Sequence, residues 1–145
     1  DSVGAISEQD LTQVQALLRQ LVDDKQFAAQ WFGSYISHAK HELDATEPDP
    51  HYETDEIGEY LEEGSVLAKL GGLRTLYYQA NTAEDIQLFI NGDRFLVPAV
   101  ELETVKKLTD QVSLTVEDCQ HFAADHGRLQ LITLLINKGY WYFTE

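Results

Sequence analysis

The run Arg128-Leu129-Gln130-Leu131-Ile132-Thr133-Leu134-Leu135-Ile136-Asn137, followed by Lys138-Gly139-Tyr140-Trp141-Tyr142-Phe143, decides how the rest of the chain is read. Leu129, Ile132, Leu135 and Ile136 recur at helical spacing, so the first part is a helix with one apolar face. Gly139 stops it, because a glycine just past the last turn takes the left-handed conformation at no steric cost. Tyr140 to Phe143, four aromatic residues, then read as a closing strand.

Working back, Thr115 with Asp118 three residues on starts a short helix through Phe122. Pro98 opens a helix from about Ala99 to Thr109. Ile86 to Ile90 and Arg94 to Val97 flank Asn91-Gly92, a strong hairpin signal. Val66 to Leu70 and Leu73 to Tyr78 flank Gly71-Gly72 and read as a second hairpin. Thr54 is the expected N-cap of a helix through Glu62, closed by Gly64. Helices followed by a helix and a terminal strand outline a winged helix with a small antiparallel sheet.

Before Thr54 the pattern differs. Asp44 to Glu53 holds Pro48 and Pro50 and reads as an acidic connector. Ser7 caps a helix over residues 7–22 with Leu11, Val14, Leu18 and Leu21 on one stripe. Asp23-Asp24 caps a second helix from Lys25 to Glu42, whose apolar positions include Trp31, Phe32, Tyr35 and Ile36. The short link makes the pair an antiparallel hairpin. The expected division is a helical hairpin over residues 1–44, a linker over 45–53 and a winged helix over 54–145, an α+β chain. Two helices cannot bury so much aromatic surface between themselves. A second copy is the economical cover, so the expected dimer contacts are Leu11, Val14, Leu18, Trp31, Phe32, Tyr35 and Ile36.

Charge bounds the function. Ten basic residues against twenty-five acidic ones give a net charge of −15. From Thr54 onward seven basic residues face fifteen acidic ones, and the helix from Thr115 has none, so direct nucleic-acid binding is not expected. An acidic surface favours basic partners or plain solubility. No apolar run approaches the ~20 residues of a membrane span, and the single Cys119 suits a reducing cytoplasm. Without a methionine anywhere, Asp1 reads as an internal cut in a longer protein.

Candidate chemistry has bland rivals. His38 and His41 with Glu42, Asp44 or His51 could complete a metal shell, but the His-Glu-x-x-His spacing of zinc proteases is absent. Lys40 and His41 late in a helix more simply complement its dipole. Cys119 and His121 are flanked by carboxylates that oppose a thiolate. No catalytic, cofactor-binding or metal residue is assigned.

Three stretches in order carry a resemblance: Gln30-Trp31-Phe32-Gly33 on to His41-Glu42-Leu43-Asp44; Asp55-Glu56-Ile57 leading into Leu70-Gly71-Gly72-Leu73-Arg74; and Asn137-Lys138-Gly139-Tyr140-Trp141-Tyr142-Phe143. Together they resemble the C-terminal region of bacterial JmjC-type ribosomal oxygenases, the YcfD-like or RoxA-like cupin-superfamily enzymes that hydroxylate an arginine of a large-subunit ribosomal protein. The resemblance implies an upstream barrel that holds Fe(II) through a His-x-Asp…His triad and binds 2-oxoglutarate. It implies a dimerisation segment and a winged helix for the present residues, and a basic ribosomal protein as substrate. No His-x-Asp occurs here, so no iron or 2-oxoglutarate ligand is carried over. The rival from another class is an acidic winged-helix regulator or adaptor without activity.

Overall fold

The structure, a computed structural model, describes residues 4–39 and 43–144. Two helices open it, α1 (Glu8–Asp23) and α2 (Lys25–Ser37). The Ser7 hydroxyl accepts the Asp10 amide at 3.0 Å. The Asp24 carboxylate accepts the amides of Gln26 and Phe27 at 3.0 and 3.2 Å. Each side chain satisfies amides that a helix start leaves without partners.

Helix α2 ends at Ser37, short of the expected Glu42, with His38 already extended at φ −68° and ψ 131°. Tertiary bonds compete with another helical turn there. The Ser37 hydroxyl accepts the Gly92 amide at 3.0 Å, and the Ala39 amide donates to Asn91 Oδ1 at 3.3 Å. Lys40, His41 and Glu42 lie outside the described residues.

The remaining elements are α3 (Thr54–Glu62), β1 (Val66–Lys69), β2 (Thr75–Tyr78), β3 (Ile86–Ile90), β4 (Asp93–Val97), α4 (Leu102–Asp110), β5 (Ser113–Leu114), α5 (Val116–Ala123), α6 (His126–Asn137) and β6 (Trp141–Thr144). Glu53 rather than Thr54 caps α3, its amide donating to the Glu56 carboxylate at 3.1 Å. Pro98 leads into a 3-10 turn over Ala99–Glu101 before α4 begins. Helix α6 starts two residues earlier than Arg128, because the Asp125 carboxylate accepts the Arg128 amide.

The strands form two antiparallel sheets of three, ordered β5-β1-β6 and β2-β3-β4. Gly71-Gly72 therefore does not close a hairpin. Strand β1 pairs with β5 and β6, and the turn carries the chain from one sheet into the other. The Asn91-Gly92 hairpin does form, with Ile90 opposite Asp93 and positive φ at both turn residues, 48° and 88°. Those are the torsions that a two-residue hairpin turn requires.

Helices α3, α5 and α6 pack together, with α5 against β1 and α6 against β6, which is the winged-helix core. Ile57, Leu61, Leu67, Leu114, Phe122, Ile132, Leu135 and Trp141 are fully buried in it. Strand β3 is buried along its whole length because both its faces are covered. Ile86, Leu88 and Ile90 join the main core, while Phe89 and Gln87 alternate to the other face. There an ideal Cβ on Gly33 of α2 would lie 2.4 Å from the Phe89 ring. Gln87 is 4% exposed, donates to Gln26 of α2 at 2.9 Å and accepts from Arg94 at 2.8 Å. The meander thus lies between α2 and the core.

Candidate functional site

Helix α1 contains no buried residue, although apolar side chains line it. Its main neighbour is α2. Leu11, Val14, Leu17, Leu18 and Val22 are all exposed, Leu18 at 54%. On α2 the small residues Gly33 and Ser37 turn inward and are buried against the meander, which pushes the large ones outward. Phe32 is 57% exposed and Tyr35 68%, while Ile36 is half-buried. Trp31 and Tyr35, one turn apart, stack with centroids 5.5 Å apart and planes 1° from parallel. Beside them an open groove of about 540 Å³ runs along Phe27, Trp31, Ser34, Tyr35 and His38 to Gly92. Both helices present a continuous apolar surface of the kind that monomeric proteins rarely leave uncovered.

The signal for this inward-outward split was in the sequence. A glycine within an aromatic-rich helix, with serine four residues later, marks the face where a backbone approaches a sheet. Periodicity alone could not assign it, because the apolar positions of α2 cover more than half of its circumference.

The histidine cluster is not assembled by the described residues. His38 is exposed, with Nδ1 3.1 Å from the Ala39 carbonyl and its ring against Gly92. His41 lies outside the described residues. His51 contacts Glu47 at 3.0 Å. Among the described residues no three of His, Cys, Asp and Glu converge.

Between α4, α5 and α6 lies a polar network that sequence reading missed. Arg128 grips Glu101 through two bonds, Nε to Oε2 at 2.6 Å and Nη2 to Oε1 at 3.1 Å, and donates to the His121 carbonyl at 3.2 Å. Thr104 donates to Glu101 at 2.7 Å and lies 2.7 Å from His121 Nε2. Its single hydroxyl proton goes to the carboxylate, so His121 must carry its proton on Nε2. Hydrogen bonding to Arg128 holds the Glu101 carboxyl below its usual range, and burial lowers His121. On the other side, burial opposes charge on Asp118, but bonds from Lys107, the Thr115 amide and Gln111 prevail. They hold its carboxyl well below the usual range. Burial pushes the Cys119 thiol up to about 11, so it is no nucleophile at neutral pH. Lys107 and Arg128 are both occupied by carboxylates, leaving these helices without a free basic face.

Residues 16–142 match the ROXA-like winged helix as a family. The chain belongs to the ROXA-like winged-helix family. The match begins midway along α1, so the second half of α1 and all of α2 fall within the matched residues together with the core. The chain is similar to the ribosomal protein uL16 3-hydroxylase of Escherichia coli K12, 33% identical over 135 residues, which covers 93% of this chain and 34% of that protein. It is also similar to the solved structure of YcfD, a ribosomal oxygenase from Escherichia coli, at 30% identity and a TM-score of 0.74, over 99% of this chain and 38% of that one. A second structure, YcfD in complex with cobalt and 2-oxoglutarate, gives 0.75 at the same coverage. This ROXA-like chain spans about a third of the length of the curated relative, and it matches the winged-helix region of a ribosomal oxygenase.

Proposed function

We propose that this chain is the non-catalytic C-terminal dimerisation and winged-helix region of a 2-oxoglutarate- and Fe(II)-dependent ribosomal-protein arginine hydroxylase. Residues 1–44 serve as the dimerising hairpin, 45–53 as the linker and 54–145 as the winged helix. The observation that carries the reading is helix α1, apolar along one stripe yet without a buried residue. Leu11, Val14 and Leu18 would meet Trp31, Phe32, Tyr35 and Ile36 across a two-fold axis, with the aromatic residues as anchors. Support for the oxygenase comes from YcfD, solved in complex with cobalt and 2-oxoglutarate, and from the uL16 3-hydroxylase, of which this chain matches 34%. The chain itself does not fit the cofactors. It has no His-x-Asp, and no three metal-ligating side chains converge among the described residues, so no chemical step runs through it. The net charge of −15 would attract a basic ribosomal protein and steer its approach.

Sedimentation velocity at micromolar concentration tests the dimer. The wild type is expected to run as a dimer, and a Leu18→Glu, Phe32→Glu double variant as a monomer that keeps its far-UV circular dichroism, since both side chains are more than half exposed. A monomeric wild type overturns it. For the enzyme, the gene upstream of Asp1 should encode a β-rich segment with His-x-Asp and a later His.

A further inference from the structure

Asn91-Gly92 is the one asparagine–glycine pair in the chain; the other asparagines, Asn81 and Asn137, precede Thr82 and Lys138. Asparagine is a thermally labile residue, and most so before glycine, where no Cβ shields the following amide nitrogen. That nitrogen attacks the side-chain carbonyl carbon Cγ. A new N–C bond closes a five-membered succinimide, the Cγ–Nδ2 bond breaks, and Nδ2 leaves as ammonia with the amide proton. Water then opens the ring at one carbonyl or the other, giving aspartate or, with the chain rerouted through Cγ, isoaspartate.

The fold ties up the atoms of this reaction. The nucleophile, the Gly92 amide, donates to the Ser37 hydroxyl at 3.0 Å. Ser37 is fully buried and sends its own proton to the Ser34 carbonyl at 3.3 Å. Asn91 Oδ1 accepts from the Ala39 amide at 3.3 Å, and the leaving nitrogen Nδ2 donates to the Tyr140 phenol at 3.2 Å. Both turn residues have the positive φ of a type I′ turn. In that left-handed conformation the following amide nitrogen lies across Cα from Cβ, so Cγ does not reach it. Ring closure therefore requires the turn to open. Besides these bonds, the Asn91 amide is held by the Arg74 carbonyl at 3.2 Å, and the His38 ring lies over Gly92.

We infer that Asn91 is a latent deamidation site that the docked end of α2 holds shut, and that its conversion to isoaspartate unfastens that end. This goes beyond the proposed function and stands without it. Aspartate fits the turn, since its carboxylate still accepts from the Ala39 amide and the Tyr140 phenol can turn its own proton toward the second oxygen. Isoaspartate does not fit. It adds a backbone atom to a two-residue turn whose register is set by Ile90 opposite Asp93, and so pulls the Gly92 amide off the Ser37 hydroxyl.

The test ages the chain at body temperature in mildly alkaline buffer. Mass spectrometry of the digested segment around Asn91 follows the loss of the amide, and electron-transfer fragmentation separates aspartate from isoaspartate. The same chain in urea gives the unguarded rate. Folded wild type is expected to react more than about tenfold more slowly, because local opening costs free energy. Ser37→Ala removes the acceptor of the Gly92 amide and should speed the reaction about fivefold, the factor that corresponds to one hydrogen bond. Tyr140→Phe keeps the ring, frees Nδ2 and should act in the same direction. Thr115→Ala deletes the α5 cap at a similar cost to the fold without touching the turn, and should leave the rate unchanged. Refolded after deamidation in urea, the isoaspartate form should lose hydrogen-exchange protection at the Gly92 amide, while Asn91→Asp keeps it. A folded wild type that reacts as fast as in urea, wild-type rates in both Ser37→Ala and Tyr140→Phe, a rate raised as much by Thr115→Ala, or full protection in the isoaspartate form would overturn the inference.

Discussion

Replacing Gly33 by alanine sets two effects of known size against each other. In an unencumbered helix the change stabilises by about 1 kcal/mol, because alanine restricts the unfolded chain and suits the helix. Here the new methyl would meet three atoms of the Phe89 ring at 2.4 to 2.5 Å. Ordinary carbon contacts are near 3.5 Å, so ring and helix must separate by about 1 Å. Phe89 is 1% exposed and lies on a strand covered on both faces, so it has nowhere to swing. Overpacking typically costs about 1–3 kcal/mol, and a methyl forced against a buried ring belongs in the upper half of that range, against which the propensity gain of about 1 kcal/mol is set. The net expectation is a loss of about 1–2 kcal/mol, or a melting temperature lower by about 2–8 °C for a chain of this size. Urea and thermal unfolding measure it directly. In a Phe89→Leu background the smaller side chain relieves the clash, and the cost of Gly33→Ala should shrink. A Gly33→Ala variant more stable than the wild type, or costs that simply add in the double variant, would refute the docking of α2 on β3.

Two further predictions concern the winged helix. The Asn137 side chain holds Tyr52 by both backbone groups, accepting its amide at 2.9 Å and donating to its carbonyl at 3.0 Å, so Asn137→Ala should cost about 1–2 kcal/mol and speed hydrogen exchange at the Tyr52 amide; unchanged protection there would refute the clamp. The depressed Asp118 carboxyl means that the unfolded chain binds more protons between the folded and unfolded values, so stability is present above about pH 4 and is lost as pH falls below it. Melting temperature against pH should be flatter in Asp118→Asn than in the wild type over that acid range, and parallel profiles would sink the assignment.

Much of the fold was legible because local chemistry and tertiary structure agree. Asn91-Gly92 demanded a tight hairpin, Thr115 with Asp118 demanded a capped helix, and both form. Where the sequence misled, a distant partner was decisive. Gly71-Gly72 announced a turn but could not say that β1 would pair with residues near 114 and 142 instead of with β2. Ser37 and Ala39 could have continued α2, yet the Asn91-Gly92 turn, more than fifty residues away, takes up their polar groups. The apolar stripe of the hairpin was readable from spacing. Which part of α2 faces its own sheet depended on Gly33 meeting Phe89, a contact between residues that no local pattern links. The Glu101–Arg128–Thr104–His121 network joins three helices and has no compact motif at all.

The Asn91-Gly92 turn also has a mechanical meaning. Its amide and side chain bond the Arg74 carbonyl, the Ala39 amide, the Ser37 hydroxyl and the Tyr140 phenol. One tight turn thus fastens the end of α2 to the segment that leads into β6. Helix α2 is also seated on the meander through Gly33 against Phe89 and Gln26 against Gln87, so the turn adds to that seat a polar link that reaches as far as Tyr140. An Asn91 substitution would cut this link to the C-terminal segment while the apolar seat of α2 stays in place.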